Sequence, residues 1–214
     1  MYDDIQQYWS ELTCAMQELP LKHLVRVTEI LLDCHRRGNT VFLLGNGGSA
    51  ATASHFACDL AKGTRVQGLP AFRVVSLNDN LALLTAWAND TSYERIFAEQ
   101  LSALVRTDDV VILISTSGNS PNVLAAAIEA RQAGATSIAL TGARGGRLAR
   151  LVDLAVRVPT QLIEQVEDVH LVIAHSICVA LRGRLCTQAA LQEVEQSVLH
   201  GRLAAQSVIA DPGQ

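Results

Sequence analysis

This chain predicts an α/β fold: a single doubly wound, all-parallel sheet of five strands flanked by helices, with a helical segment ahead of it. Three observations carry that expectation. Apolar runs alternate with helix-like stretches along the 214 residues, the pattern of parallel strands joined by helical crossovers. The runs are continuously apolar, as strands covered on both faces must be. Hydrophobic residues make up 49% of the chain but aromatics only 4%, so the core must be built from Ala, Leu, Val and Ile, which suits helices packed on a sheet.

Residues 3–37 read as helix, because Leu21, Leu24, Val25, Val27, Ile30, Leu31 and Leu32 recur at near-helical spacing and Gly38 supplies a stop. Strands follow at 40–44, 72–77, 109–114 and 137–140, with a short fifth at 154–158 ending at Pro159. Helical stretches separate them at 50–62, 81–88 with 93–104, 121–133 and, briefly, 147–151. A long helix begins at 164 and runs to about 185, and the near-continuous apolarity of 169–181 points to burial on more than one side, between subunits included. Residues 189–203 are also helix-compatible, and 211–214 read as a fraying tail. No linker rich in Pro, Gly or Ser divides the chain. One domain is expected, with N-terminal helices over 1–38, a core over 39–186 and a C-terminal helix and tail over 187–214.

A net charge of −4 and the absence of any Lys/Arg cluster weigh against nucleic acid as a partner. No apolar run approaches the ~20 residues of a membrane helix. The acidic start Met1-Tyr2-Asp3-Asp4 is unlike a signal peptide. A cytoplasmic protein with no membrane partner is expected. The five cysteines, Cys14, Cys34, Cys58, Cys178 and Cys186, form no C-x-x-C pair. They read as buried small hydrophobes in a reducing compartment, with Cys58 beside the candidate site.

Two apolar runs stop at loops of small polar residues: Val41–Leu44 at Gly45-Asn46-Gly47-Gly48-Ser49, and Val110–Ile114 at Ser115-Thr116-Ser117-Gly118-Asn119-Ser120. A strand, such a loop and a helix N-terminus make an anion site, since free N–H groups and the helix dipole converge there. One such loop is ordinary turn chemistry; two, both rich in hydroxyls, point to a sugar phosphate held from two sides.

His55 and Asp59 are four residues apart on one helix face. On the late helix, Glu167 and His175 are eight apart, about 80° out of line at ~100° per residue. Asp168 and His175 align more closely, so spacing leaves the carboxylate partner of His175 open. Two histidines and two carboxylates suit tetrahedral zinc or a related divalent ion. Taken singly, His55–Asp59 reads as a surface pair and His175 as a core histidine; His35 and His170 read as structural.

Gly45-Asn46-Gly47-Gly48-Ser49, His55-Phe56-Ala57, Ala88-Asn89-Asp90, Ser115 to Ser120, Leu140-Thr141-Gly142 and Val166-Glu167-Asp168-Val169-His170 occur in that order. Together they resemble the sugar isomerase (SIS) domain, most closely the sedoheptulose-7-phosphate (phosphoheptose) isomerases, over residues 2–185. The resemblance implies an SIS-type fold and an aldose–ketose isomerase. Its reaction takes sedoheptulose 7-phosphate to D-glycero-D-manno-heptose 7-phosphate through an enediol. It implies a homotetramer with active sites at subunit contacts. By position it implies Asn46, Gly47, Gly48, Ser115, Thr116, Ser117 and Ser120 as substrate-binding residues, the phosphate lying against the serine-rich turn. Asn89, Asp90, Asp59 and Glu167 join them at the substrate. The metal ligands fall on His55, Asp59, Glu167 and His175, with zinc the first candidate and Glu167 taken over Asp168. Asp59 is the candidate base and His175 the acid.

The family usually has Glu where this chain has Asp59, and Gln where it has Glu167. A basic residue common after the first site helix has no match in register, with Lys62 and Arg65 nearby. A related SIS adaptor binds the bacterial replication initiator and lacks the carboxylate and the last histidine. Ligand-competent residues at all four positions here place enzyme ahead of adaptor. A sugar-phosphate-sensing regulator ranks last, since the sequence shows no DNA-binding segment.

Overall fold

Pro20 splits the N-terminal helical segment in two. The computed structural model describes residues 1–209, with side-chain surroundings to residue 195. Within it α1 spans Tyr2–Gln17 and α2 spans Leu21–Arg37. Pro20 lacks the N–H a continuous helix needs, and it biases Leu19 away from helical backbone. Gly38 ends α2 as expected.

The strands are β1 (Thr40–Gly45), β2 (Arg73–Ser76), β3 (Val110–Ser115), β4 (Thr136–Gly142) and β5 (Leu154–Val158). All pair in parallel in the order β2-β1-β3-β4-β5. Side chains alternate between two cores. Val41, Leu43, Val110, Ile112 and Ile138 face one with Phe56, Val169 and Ile173. Phe42, Leu44, Val111 and Leu113 face the other with Phe97, Leu101, Val123 and Ala127. Because both of their faces are covered, the central strands β1 and β3 are apolar along nearly their whole length, while the edge strands β2 and β5 carry the exposed Arg73 and Arg157.

The first core is covered by α2, by α3 (Gly48–Cys58) and by α7 (Ile163–Ile209). The second is covered by α5 (Ala98–Leu104) and α6 (Pro121–Gln132), with α4 (Leu81–Asp90) at its margin. The single helix expected over 93–104 is broken: a 3₁₀ turn at Tyr93–Arg95 precedes α5. After Cys58 the first site helix widens into a π turn over Asp59–Gly63. The two late helical stretches form one helix with no break at residue 186. Residues 211–214 lie outside the described residues.

By length and composition α7 could cross a membrane, contrary to the reading of apolar runs. Here Val166, Val169, Ile173, Ile177, Leu181 and Leu185 bury its stripe against the sheet. The cysteine expectation holds for Cys34 and Cys178, whose burial pushes each thiol up to about 12. It fails for Cys14, Cys58 and Cys186, which are exposed because they fall on outward helix positions.

Candidate active site and metal centre

In a sheet of this order the chain leaves β1 and β3 in opposite directions, which opens a crevice at their C-terminal ends. Both small-residue loops lie there, Gly45–Ser49 after β1 and Ser115–Ser120 after β3. They are joined by a reciprocal amide pair. Asn46 Nδ2 donates to Asn122 Oδ1 at 2.8 Å, and Asn122 Nδ2 donates back to Asn46 Oδ1 at 2.9 Å. The Tyr93 hydroxyl donates to the same Asn46 oxygen at 3.1 Å. Asn78 pins the first loop from β2's side, accepting from Gly45 N at 3.2 Å and donating to Gly45 O at 2.8 Å. Asn46, expected as a substrate contact, is thus engaged in holding the loops. Sequence reading missed Asn78, Tyr93 and Asn122; the nearest signal was Asn after a helix-opening Pro121.

The α3 and α7 helices pack through Ala53, Phe56 and Ala57 against Ile173, Ala174 and Ile177. That contact brings His55, Asp59 and His175 together. His55 Nε2 and His175 Nε2 are 2.9 Å apart, and Asp59 Oδ2 lies 3.4 Å from the first and 3.5 Å from the second. A tetrahedral ion with bonds of about 2.05 Å sets its donors roughly 3.3 Å apart. Three donor atoms converging at this spacing fit a divalent cation, and the two-His, one-carboxylate set suits zinc. The histidine side chains are each 50% exposed and Asp59 29%.

Glu167 and Asp168 separate clearly. Tyr8 of α1 donates its hydroxyl to Asp168 Oδ2 at 2.5 Å, so Asp168 fastens α1 to α7. That hydrogen bond first, then burial, pushes the Tyr8 phenol up to about 12. The half-buried Glu167 faces the crevice but is not part of the three-residue cluster. Its carboxylate lies directly over the Cα of Gly48, so close that a Cβ there would collide with both oxygens. It therefore sits on the first turn of α3, where free N–H groups and the helix dipole favour a negative charge.

The serine loop is ordered by its own hydroxyls. Ser115 Oγ and Ser120 Oγ are 3.2 Å apart, Gly118 N donates to Ser115 Oγ at 3.2 Å, and Asn119 N donates to Ser117 Oγ at 3.1 Å. Gly118 has φ +63° and touches the Gly145 carbonyl, so no side chain fits there. Asn89 and Asp90 are exposed at the end of α4 and bond to each other at 2.9 Å. His35 Nε2 donates to Pro70 O at 2.9 Å, and His170 is fully buried.

A family model described as the SIS domain matches residues 3–142. The phosphoheptose isomerase of Roseiflexus sp. (strain RS-1) is 43% identical over 157 residues, covering 72% of this chain and 78% of its own. That of Trichlorobacter lovleyi is 39% identical over 175 residues, covering 81% and 84%. The solved phosphoheptose isomerase of Francisella tularensis superposes with a TM-score of 0.80 at 31% identity, over 85% of this chain and 98% of its own. The Neisseria gonorrhoeae enzyme gives 0.79 with the same identity and coverage. The fold, the two loops and these relatives together place the chain in the phosphoheptose isomerase family of SIS-domain proteins.

Proposed function

We infer that this protein isomerises a phosphorylated ketose to its aldose, with sedoheptulose 7-phosphate as substrate and D-glycero-D-manno-heptose 7-phosphate as product. The observation that carries the reading is the His55–Asp59–His175 triangle opening beside two anion-binding loops. Ketose-to-aldose conversion removes a proton from C1, protonates the C2 oxygen to give an enediol, then returns a proton to C2 as the O1 proton leaves. Asp59 takes the C1 proton, and His175 serves the neighbouring oxygens. A divalent cation held by His55, Asp59 and His175, zinc by preference, would polarise the carbonyl. Glu167 stands at the rim, where it reaches substrate hydroxyls or completes the ligand set. Ser115, Thr116, Ser117 and Ser120 hold the phosphate, while Gly47, Gly48 and the Asn89–Asp90 pair bound the sugar.

A cytoplasmic homotetramer completes the proposal. Half-exposed ligands call for cover from a neighbour, and Leu81, Val172 and Val179 present apolar surface outward. The test is incubation of the purified protein and added divalent metal with a panel of ketose phosphates, followed by isomer separation. Conversion of sedoheptulose 7-phosphate is expected, with bound metal lost in His55→Ala and His175→Ala. No conversion of any ketose phosphate by metal-loaded protein would sink the reading.

A further inference from the structure

A cavity beside the serine loop, walled by Thr116, Ser117 and Arg144, belongs to the crevice already described. Another, of about 640 Å³, opens at the opposite end of the sheet, where β1 and β3 begin. Arg37, Arg73 and Arg106 line it together with Val75, Ala103 and Leu104. Its volume falls within the roughly 300–1,000 Å³ of small-molecule sites. We propose that this cavity binds a nucleotide, with the phosphate on Arg73 and Arg106 and the flat base against the apolar wall.

Positive charge dominates the lining, because Asp109, the one acidic residue among the described residues there, is spent inward. Asp109 is buried; its Oδ1 accepts from Thr40 N at 2.8 Å and its Oδ2 from Arg106 N at 2.8 Å. Arg37 is neutralised by Asp33 at 2.8 Å, with Asp108 at 3.6 Å. No carboxylate among the described residues pairs with Arg73 or Arg106. Arg73 makes one long contact, Nε to Thr40 Oγ1 at 3.5 Å, which leaves both of its terminal nitrogens to a ligand. A carboxylate has two oxygens in one plane and suits a single guanidinium fork. A phosphate has three, enough to serve forks arriving from two elements.

The turn that carries Arg106 is set before any ligand arrives. Asp109 N donates back to Arg106 O at 3.1 Å, Asp108 N to Gly134 O at 3.1 Å, and Thr107 Oγ1 to Ala133 O at 3.1 Å. Asp108 takes φ +69°, a left-handed backbone that Asp tolerates better than most residues. The apolar wall arises at the sheet's edge. Val75 shares a sheet face with its β1 partner Phe42, but α5 stops at Leu104, and both Val75 and Leu104 stay exposed. A sugar's hydroxyls would find no carboxylate to receive them, since Asp109 is turned away. A base buries apolar area there and stacks on a guanidinium plane, which favours a nucleotide over a sugar phosphate. The six residues of β1 separate this cavity from the crevice by about 20 Å, at ~3.3 Å per residue.

Calorimetric titration of adenosine 5′-monophosphate into the full-length protein tests the site without reference to turnover. Wild type should bind it, and Arg73→Gln and Arg106→Gln should each weaken binding about tenfold, the loss of one charge-assisted hydrogen bond. Both side chains are exposed, so each variant should keep the wild-type Tm. Leu104→Asp, which sets a carboxylate against the base, should weaken binding too. Adenosine, lacking the phosphate, should bind wild type no better than the adenylate binds the Arg73→Gln/Arg106→Gln double variant. Ser117→Ala and His55→Ala act in the crevice and should leave the affinity unchanged. No binding by wild type at millimolar concentration, or wild-type affinity in the double variant, overturns the proposal. Loss of binding in Ser117→Ala with Arg73→Gln unaffected also overturns it, by placing the nucleotide in the crevice. Ribose 5-phosphate held by the same two arginines as tightly as the adenylate would refute the nucleotide assignment, because the base would then contribute nothing.

Discussion

Gly48 carries no side chain because the Glu167 carboxylate occupies the space a methyl group would need. Gly48→Ala should therefore cost about 1–3 kcal/mol, the usual penalty of overpacking. In a Glu167→Ala background the same change should be neutral or mildly stabilising, since Ala is the better helix residue. Urea denaturation of the four proteins checks this, and a penalty that survives removal of the carboxylate would show that something else fills the space. His170 supplies a second prediction. It is fully buried, neither ring nitrogen makes a well-aligned hydrogen bond among the described residues, and burial, partly offset by the Thr141 backbone, pushes it from about 6.5 down to about 4. Below pH 6.5 the unfolded chain binds a proton there that the folded chain refuses until about pH 4. Stability from this group is complete above 6.5 and falls as pH drops through that interval, by roughly 3 kcal/mol in all. In the presence of chelator, the stability of wild type should decline more steeply between pH 6.5 and 4 than that of His170→Leu. Parallel curves would mean that His170 is not held neutral. At this scale the sequence made the His55–Asp59 pair legible, since four residues is one helical turn. Spacing left Glu167 and Asp168 unresolved and only the resemblance chose Glu167, because the docking of α1 through Tyr8 decides which of two adjacent carboxylates turns inward.

The β1 and β3 loops behave as one unit through Asn46 and Asn122, and Asn122 is only 1% exposed. Asn122→Asp removes the donor to Asn46 and buries a charge in its place, which should cost roughly 1–3 kcal/mol. It should also raise KM while metal content stays at the wild-type level, because the triangle hangs from α3 and α7 instead. Unchanged stability and KM would show that the amide pair does not hold the loops. Strand positions were readable to within a residue or two, since a buried parallel strand announces itself as an unbroken apolar run. The breaks were harder to see. Pro20 was a visible signal, but the π turn at Asp59–Gly63 and the gap between Tyr93–Arg95 and α5 have no period of their own. They arise from packing against other elements, which no local pattern encodes.

For the whole molecule, the outward surface argues for assembly. Every residue of α4 is at least partly exposed, with Leu81 at 71%, and Val179 on α7 is 59% exposed. Light scattering at low micromolar concentration should give about 92 kDa, four times the 23.0 kDa chain. Activity per chain should fall on dilution together with mass. A fully active species of 23.0 kDa would refute the tetramer. The sheet and its winding were legible at this scale because alternating strands and helices permit few topologies. The cavity beside the serine loop was not, because its walls come from three loops separated by long stretches of chain. The closing of α7 over the sheet has a further consequence during synthesis. His55 and His175 are 120 residues apart, so at ~5–20 residues per second the ribosome needs roughly 6–24 s to travel from one to the other. Throughout that time Val41 and Leu43, joined by Ile112 once it is made, wait for the helix that will cover them. A nascent chain halted before residue 163 should therefore be a client for chaperones, and the finished one should not.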